Sequence, residues 1–178
     1  MEDLSLHILD IVENSLNAGA SNVSIKIVED DENFIATIVD NGKGMDEETL
    51  KNIFDPFFTT KNARNFGFGI PLFAQTAEQC GGRLDIKSKV GFGTEVSVYL
   101  KKNHIDMLPI GDLGLTIITL IISNPEVNYQ LIYKNGNYIY ELDTAELKSG
   151  IDSITEAQTL NFIRNHINDG IKSTQNQR

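Results

Sequence analysis

Cysteine is almost missing. Cys80 stands alone in a chain of 178 residues, which excludes an intrachain disulfide framework and a cysteine-rich metal site. A reducing, cytoplasmic setting is the simple expectation. Cations are scarce too: 15 Lys and Arg face 25 Asp and Glu, for a net charge of −10, and no basic block occurs. Nucleic-acid backbones and anionic membrane surfaces are read by clustered Lys and Arg, so neither is expected as a partner. Long apolar runs are also lacking. The longest, Leu113 to Ile122, is interrupted by Thr116 and Thr119, and a membrane span needs ~20 apolar residues. The acidic start Met1-Glu2-Asp3 has neither the positive region nor the apolar stretch of a secretory signal. The expectation is a soluble protein of one domain, or one domain with a small companion.

What is present is strongly patterned. Leu4, Ile8, Ile11 or Val12, and Leu16 recur at helical spacing, predicting an amphipathic helix over 4–17 that Gly19 stops. Val23 to Val28 alternates as a half-buried strand, Asp30 to Asn33 turns, and Phe34 to Val39 returns. A short helix opens at Asp46-Glu47-Glu48, where negative residues suit the helix dipole. Another helix runs from Pro71 to Cys80, and a strand pair flanks Gly91-Phe92-Gly93. The order predicts an α+β two-layer sandwich, with helices on one face of a sheet. From Asn103 the texture changes: an apolar helix over 112–122, strands around an Asn135-Gly136 hairpin turn, then helices near 144–149 and 155–171. The predicted division is 1–103, a small α-β-β-α extension over 104–172, and a flexible tail over 173–178.

Four short motifs carry the chemistry. They are Glu13-Asn14-Ser15-Leu16-Asn17-Ala18; Asp40-Asn41-Gly42-Lys43-Gly44-Met45; Phe54-Asp55-Pro56-Phe57-Phe58-Thr59-Thr60-Lys61 running into Gly67-Phe68-Gly69; and Gly91-Phe92-Gly93-Thr94. Together, over roughly residues 4–101, they resemble the ATP-binding domain shared by gyrase-type topoisomerases, heat-shock chaperone ATPases, sensor histidine kinases and mismatch-repair ATPases. This is the GHKL superfamily, whose Bergerat fold is such a sandwich. The third string resembles the sensor-kinase lid most closely, and short stand-alone bacterial ATP-binding proteins with a C-terminal extension are similar throughout.

The resemblance implies ATP and Mg²⁺ as ligands. Asp10, Asn14 and Asn17 share one helix face, opposite the apolar stripe. In the families resembled, the asparagine matching Asn14 is a magnesium ligand, and the resemblance puts Asn17 beside the nucleotide. One turn earlier, where hydrolytic members hold a glutamate base, this chain has Asp10, a carboxylate one methylene shorter. Glu13 lies ~100° round the helix and is the less favoured candidate. Asp40 matches the aspartate that accepts the adenine amine. Gly42 and Gly44 keep the backbone close, Met45 lies against the base, and Thr94 assists Asp40. Lys61, Gly67 and Gly69 are the expected phosphate contacts, the glycines through backbone N–H groups at a helix start. The stretch 62–66 is about one residue shorter than usual and lacks a glycine, so a stiffer lid is expected.

Three features of such proteins are not found. The residues given before Asn14 are too few for a helical hairpin with an acceptor histidine, and His7, His104 and His166 lack the expected context of a phosphoacceptor. Neither a receiver sequence nor a transducer domain is expected within these 178 residues. The function expected is therefore Mg-dependent ATP binding, with slow hydrolysis or kinase-like phosphorylation of a partner protein in signal transduction. The alternative is an ATP-gated interaction module without turnover. In either case 104–172 is the expected partner-binding segment. Tyr129, Tyr133, Tyr138 and Tyr140 there either pack internally or form an interface.

Overall fold

A computed structural model describes residues 3–55 and 69–176. The elements follow the order α1 (Leu4–Asn17), β1 (Asn22–Glu29), β2 (Asn33–Asp40), α2 (Glu47–Asn52), α3 (Gly69–Gln79), β3 (Arg83–Lys89) and β4 (Gly93–Lys101). The C-terminal part adds α4 (Leu113–Ser123), β5 (Asn128–Asn135), β6 (Tyr138–Asp143), α5 (Thr144–Gly150) and α6 (Ala157–Asn176). Aspartate side chains cap four of the helices. Asp3, Asp46, Asp112 and Asp143 accept from the N–H groups of Leu6, Thr49, Leu115 and Ala145, each satisfying a donor that the first helical turn leaves open. Gly19, at φ 77°, ends α1 where the sequence places the stop.

All six strands join one sheet in the order β3-β4-β2-β1-β5-β6. β5 runs parallel to β1, from Asn22 opposite Asn128 to Glu29 opposite Asn135, while every other pair is antiparallel. The C-terminal hairpin thus extends the N-terminal sheet. Strand alternation turns Ile25 and Ile27 of β1, Phe34 and Ile38 of β2, and Tyr129, Leu131 and Tyr133 of β5 into the helix layer. There α1 packs on α3 and α4, and α4 packs on α6. The opposite face of the sheet carries polar and half-buried residues. This is the two-layer α+β sandwich of the Bergerat type, with a mixed sheet. In α4, Leu113, Ile117, Leu120 and Ile121 are fully buried, each contributing roughly 1.5–3 kcal/mol. Among the described residues no helix is long and apolar enough to cross a membrane.

Two local outcomes differ from the sequence reading, each for a packing reason, and a third resolves an alternative that it left open. The hairpin turn is Gly136-Asn137, because Asn135 stays in the strand opposite Tyr138, buried and donating to the Thr174 carbonyl. Gly136, at φ 57°, takes the first turn position, which favours glycine. α6 continues through Ser173, expected to begin a frayed tail, to Asn176, because Thr174 is buried and Gln175 donates to the Tyr133 hydroxyl. Of the four hairpin tyrosines, Tyr129, Tyr133 and Tyr140 pack inward and Tyr138 is exposed.

Candidate functional site

The site begins with the parity of β2. Phe34, Ala36 and Ile38 face the helix layer, so Asp40 at the strand end faces it too. Its carboxylate is nearly enclosed and holds two donors. The Ser15 hydroxyl of α1 donates to Oδ2 at 2.7 Å, and the Gly42 N–H donates to Oδ1 at 2.8 Å. A carboxylate has about four acceptor positions, so two remain for a ligand. Asn41 turns the other way: its Oδ1 accepts from the Ser21 and Asn22 N–H groups, both at 2.9 Å. That residue anchors the turn, while Asp40 faces the cleft.

The two glycine boxes lie against each other. Gly44 has φ 67°, and a Cβ there would run into the Lys89 carbonyl; Gly93 has φ 88°, and a Cβ there would meet the carbonyl of Asp40 itself. Gly42 is close to Ala18, 3.0 Å from where its own Cβ would sit. Thr94 faces Asp40 directly across β2 and β4. The Ser88 hydroxyl accepts from Met45 N–H at 2.9 Å and donates to the Gly93 carbonyl at 3.0 Å. Its single proton is then spent, so Thr94 Oγ1, 2.9 Å away, is the donor of that pair. The lone pairs of Thr94 stay available beside Asp40.

These groups line one cleft. Asn14, Ser15, Asp40 and Thr94 form its polar side; Ile11, Met45, Ile53 and Ile70 form its apolar wall. A flat aromatic heterocycle with an exocyclic donor suits such a lining, because apolar walls grip its faces while few polar groups fix its edge. Asn14 is half-buried at the cleft, but Asn17 is exposed at the end of α1 and Glu13 is exposed as well. Asp10 is half-buried one turn before Asn14, packed on the first residue of α3: a Cβ at Gly69 would lie 2.8 Å from the Asp10 Cβ. Burial pushes the Asp10 carboxyl above its ordinary value. Lys61 and Gly67, the other expected phosphate contacts, fall outside the described residues, as does most of the lid string.

His7 is a core residue. It stacks on Phe73 at 4.5 Å between ring centroids, with Nε2 3.1 Å from the Thr76 hydroxyl, and burial holds its pKa down at about 4. Sequence reasoning missed Ser15, Ser88 and the isoleucine wall. Ser15 carried a readable signal: it lies four residues after Ile11 on the apolar stripe of α1, where a polar side chain needs a buried partner.

Comparison with known proteins finds sensor kinases among the relatives of this chain. A probable C4-dicarboxylate sensor kinase of Halalkalibacterium halodurans is 30% identical over 108 residues, covering 57% of this chain and 20% of that protein. Sporulation kinase D of Bacillus subtilis is 34% identical over 95 residues, or 52% of this chain and 19% of the kinase. The sensor histidine kinase ZraS of Escherichia coli is 33% identical over 89 residues, or 50% and 17%. The chain thus spans a fifth or less of the length of these relatives. Residues 2–104 match the family described as histidine kinase-, DNA gyrase B-, and HSP90-like ATPase, and the chain belongs to that family of ATP-binding domains.

Proposed function

We infer that the chain is a Mg-dependent ATP-binding regulator that hydrolyses ATP slowly or passes its γ-phosphoryl group to a partner protein. The observation that carries this reading is the Asp40 carboxylate, held by Ser15 and Gly42 yet keeping acceptor capacity beside Thr94 in an apolar cleft. In this reading Asp40 and the lone pairs of Thr94 accept the adenine amine, with Met45 against the ring. Gly42 and Gly44 let the backbone approach, and Gly69, with Lys61 and Gly67, holds phosphates. Asn17, exposed beyond the cleft, meets the nucleotide from outside it.

The donor set suits a hard cation bound chiefly through phosphates and water. Asn14 offers one carboxamide oxygen, and among the described residues no cluster of three or more Asp, Glu, His or Cys forms an all-protein cage. Mg²⁺, when bound, neutralises phosphate charge during transfer. Asp10 then acts as the base: its raised pKa makes it the better proton acceptor, provided the pH stays above that value. Residues 1–103 supply nucleotide chemistry in the cytoplasm, and 104–172 bind the protein partner. A second reading, an ATP-gated binding module without turnover, is favoured by the short Asp10 side chain packed on Gly69.

A time course with Mg²⁺ and γ-labelled ATP separates these. Free phosphate or labelled protein that disappears in Asp10→Asn, with nucleotide affinity retained, supports catalysis. The rate should also fall as pH drops through the Asp10 pKa. Bound but intact ATP in the wild type would rule out self-sufficient turnover.

A further inference from the structure

The sheet has two edges, and they are built differently. β3 carries Arg83, Asp85, Lys87 and Lys89, with Arg83 paired to Asp85 and Lys87 to Glu95. Charges of this kind, lysine above all, keep a strand edge from pairing with another chain. β6 reads Tyr-Ile-Tyr-Glu-Leu-Asp from Tyr138 to Asp143, with no cation, proline or bulge. Two-residue hairpin geometry fixes which peptide groups of β6 are used. Asn135 and Tyr138 close the turn as a hydrogen-bonded pair, so Tyr138, Tyr140 and Leu142 point their N–H and C=O groups at β5. Those of Ile139 and Glu141 point away from the sheet. Among the described residues no strand lies on that side, and α5 folds back over β5 rather than past it.

Side chains beside this edge set the chemistry of an occupant. On the open face, Ile139 is 56% exposed and Glu141 is exposed. The cross-strand neighbour of Glu141 is Ile132, not a cation. Asp143 is committed to capping α5, which leaves Glu141 as the anion of the edge. On the helix face, Tyr140 meets His166 at 5.5 Å, and His166 stacks on Phe162 at 5.6 Å, with Phe162 63% exposed. We propose that the β6 edge is a docking strand for an extended segment of a partner protein. That segment carries Lys or Arg toward Glu141 and, alternating with them, aromatic or aliphatic residues toward the Tyr140–His166–Phe162 cluster.

Strand addition supplies affinity through main-chain hydrogen bonds and specificity through alternate side chains. A second copy of this chain fits less well. β6 holds no cation to meet Glu141, and two chains of net charge −10 repel each other.

The inference rests on the reading that residues 104–172 engage a protein. The test uses the full chain and two capped probe peptides, Lys-Phe-Lys-Val-Lys-Phe and Glu-Phe-Glu-Val-Glu-Phe, followed by amide hydrogen exchange. The basic peptide should protect the Ile139 and Glu141 amides and bind at least tenfold more tightly than the acidic one. Ile139→Pro removes an outward N–H while sparing the hydrogen bonds to β5, and should weaken the basic peptide at least tenfold, with nucleotide binding unchanged as the control for folding. Glu141→Lys should reverse the preference between peptides, and it decides the matter should the proline variant fail to fold. Equal binding of both peptides, or no protection of β6, overturns the proposal. So does protection of these amides by increasing protein concentration alone, which would mean a second copy. Protection elsewhere in 104–172 would sink the edge while sparing the partner reading, whereas a wild type that binds the basic peptide at β6 but no nucleotide would sustain the edge and overturn the ATP site.

Discussion

Two buried carboxylates stand at opposite ends of the β1–β2 hairpin. Asp40, 8% exposed, accepts from one hydroxyl and one N–H and borders a cleft. Glu29, 2% exposed, accepts from the Tyr133 hydroxyl at 2.7 Å and from Gln175 at 3.4 Å, and pairs with Lys102 at 2.9 Å. Similar burial yields opposite chemistry. Neutral donors hold Asp40 in place and leave its charge for a ligand, whereas a cation answers the charge of Glu29. Glu29 is a lock: it joins the first strand of the ATP-binding part to β5, to α6 and to the segment after β4. A buried acid therefore marks a site when its partners orient it without neutralising it.

The largest effect should come from breaking the lock. Lys102→Met leaves Glu29 buried without its cation and should cost about 3 kcal/mol in urea denaturation, with nucleotide affinity changed less than twofold. A large loss of affinity without a loss of stability would mean that the two ends are coupled and the comparison fails. Next comes a buried imidazole whose protonation is opposed chiefly by burial. The unfolded imidazole of His7 takes its proton near pH 6.5 and the folded one only near pH 4. Between those values the unfolded chain binds more protons, so stability falls as pH is lowered through this window, by on the order of 2 kcal/mol. His7→Leu, which keeps the packing on Phe73, should flatten this slope. An unchanged slope would assign the pH dependence to other groups.

The features readable in the sequence were the local ones. Helical spacing in α1 and α4, alternation in β1 and β2, and the glycine boxes each depend on neighbours a few residues away, and each lies where the pattern places it. Long-range pairing was not legible. Nothing near Asn128 says that β5 will lie parallel to Asn22 and extend the same sheet. Glu29 reads as an ordinary strand-end acid, because Tyr133, Gln175 and Lys102 reach it from distant segments. Ser15 reads as one polar residue within a helix, and only the turn of β2 into the helix layer gives it Asp40 as a partner.

A smaller effect tests the open end directly. Asp40→Asn should weaken adenine-nucleotide binding at least tenfold, about 1.4 kcal/mol, while leaving the unfolding midpoint nearly unchanged. The amide oxygen of the variant still accepts from Ser15 or Gly42, and no buried cation is orphaned. Unchanged affinity would remove Asp40 from the site. A collapse in stability would make it a second lock.

The smallest effect asks what Ser15 does for that carboxylate. Its hydroxyl proton occupies one lone pair of Oδ2, so it either fixes the carboxylate for adenine or competes with adenine for it. The geometry favours the first role, since the remaining acceptor positions of Asp40 lie free and the Gly42 N–H holds the other oxygen. Ser15→Ala should then lower nucleotide affinity two- to fivefold, about 0.5–1 kcal/mol, less than Asp40→Asn because water can stand in for the missing hydroxyl. Titration of both variants with the same fluorescent ATP analogue measures the difference. Tighter binding in Ser15→Ala would show competition, and the charge of Asp40 would then be partly spent inside the protein, which would bring the two carboxylates closer in kind.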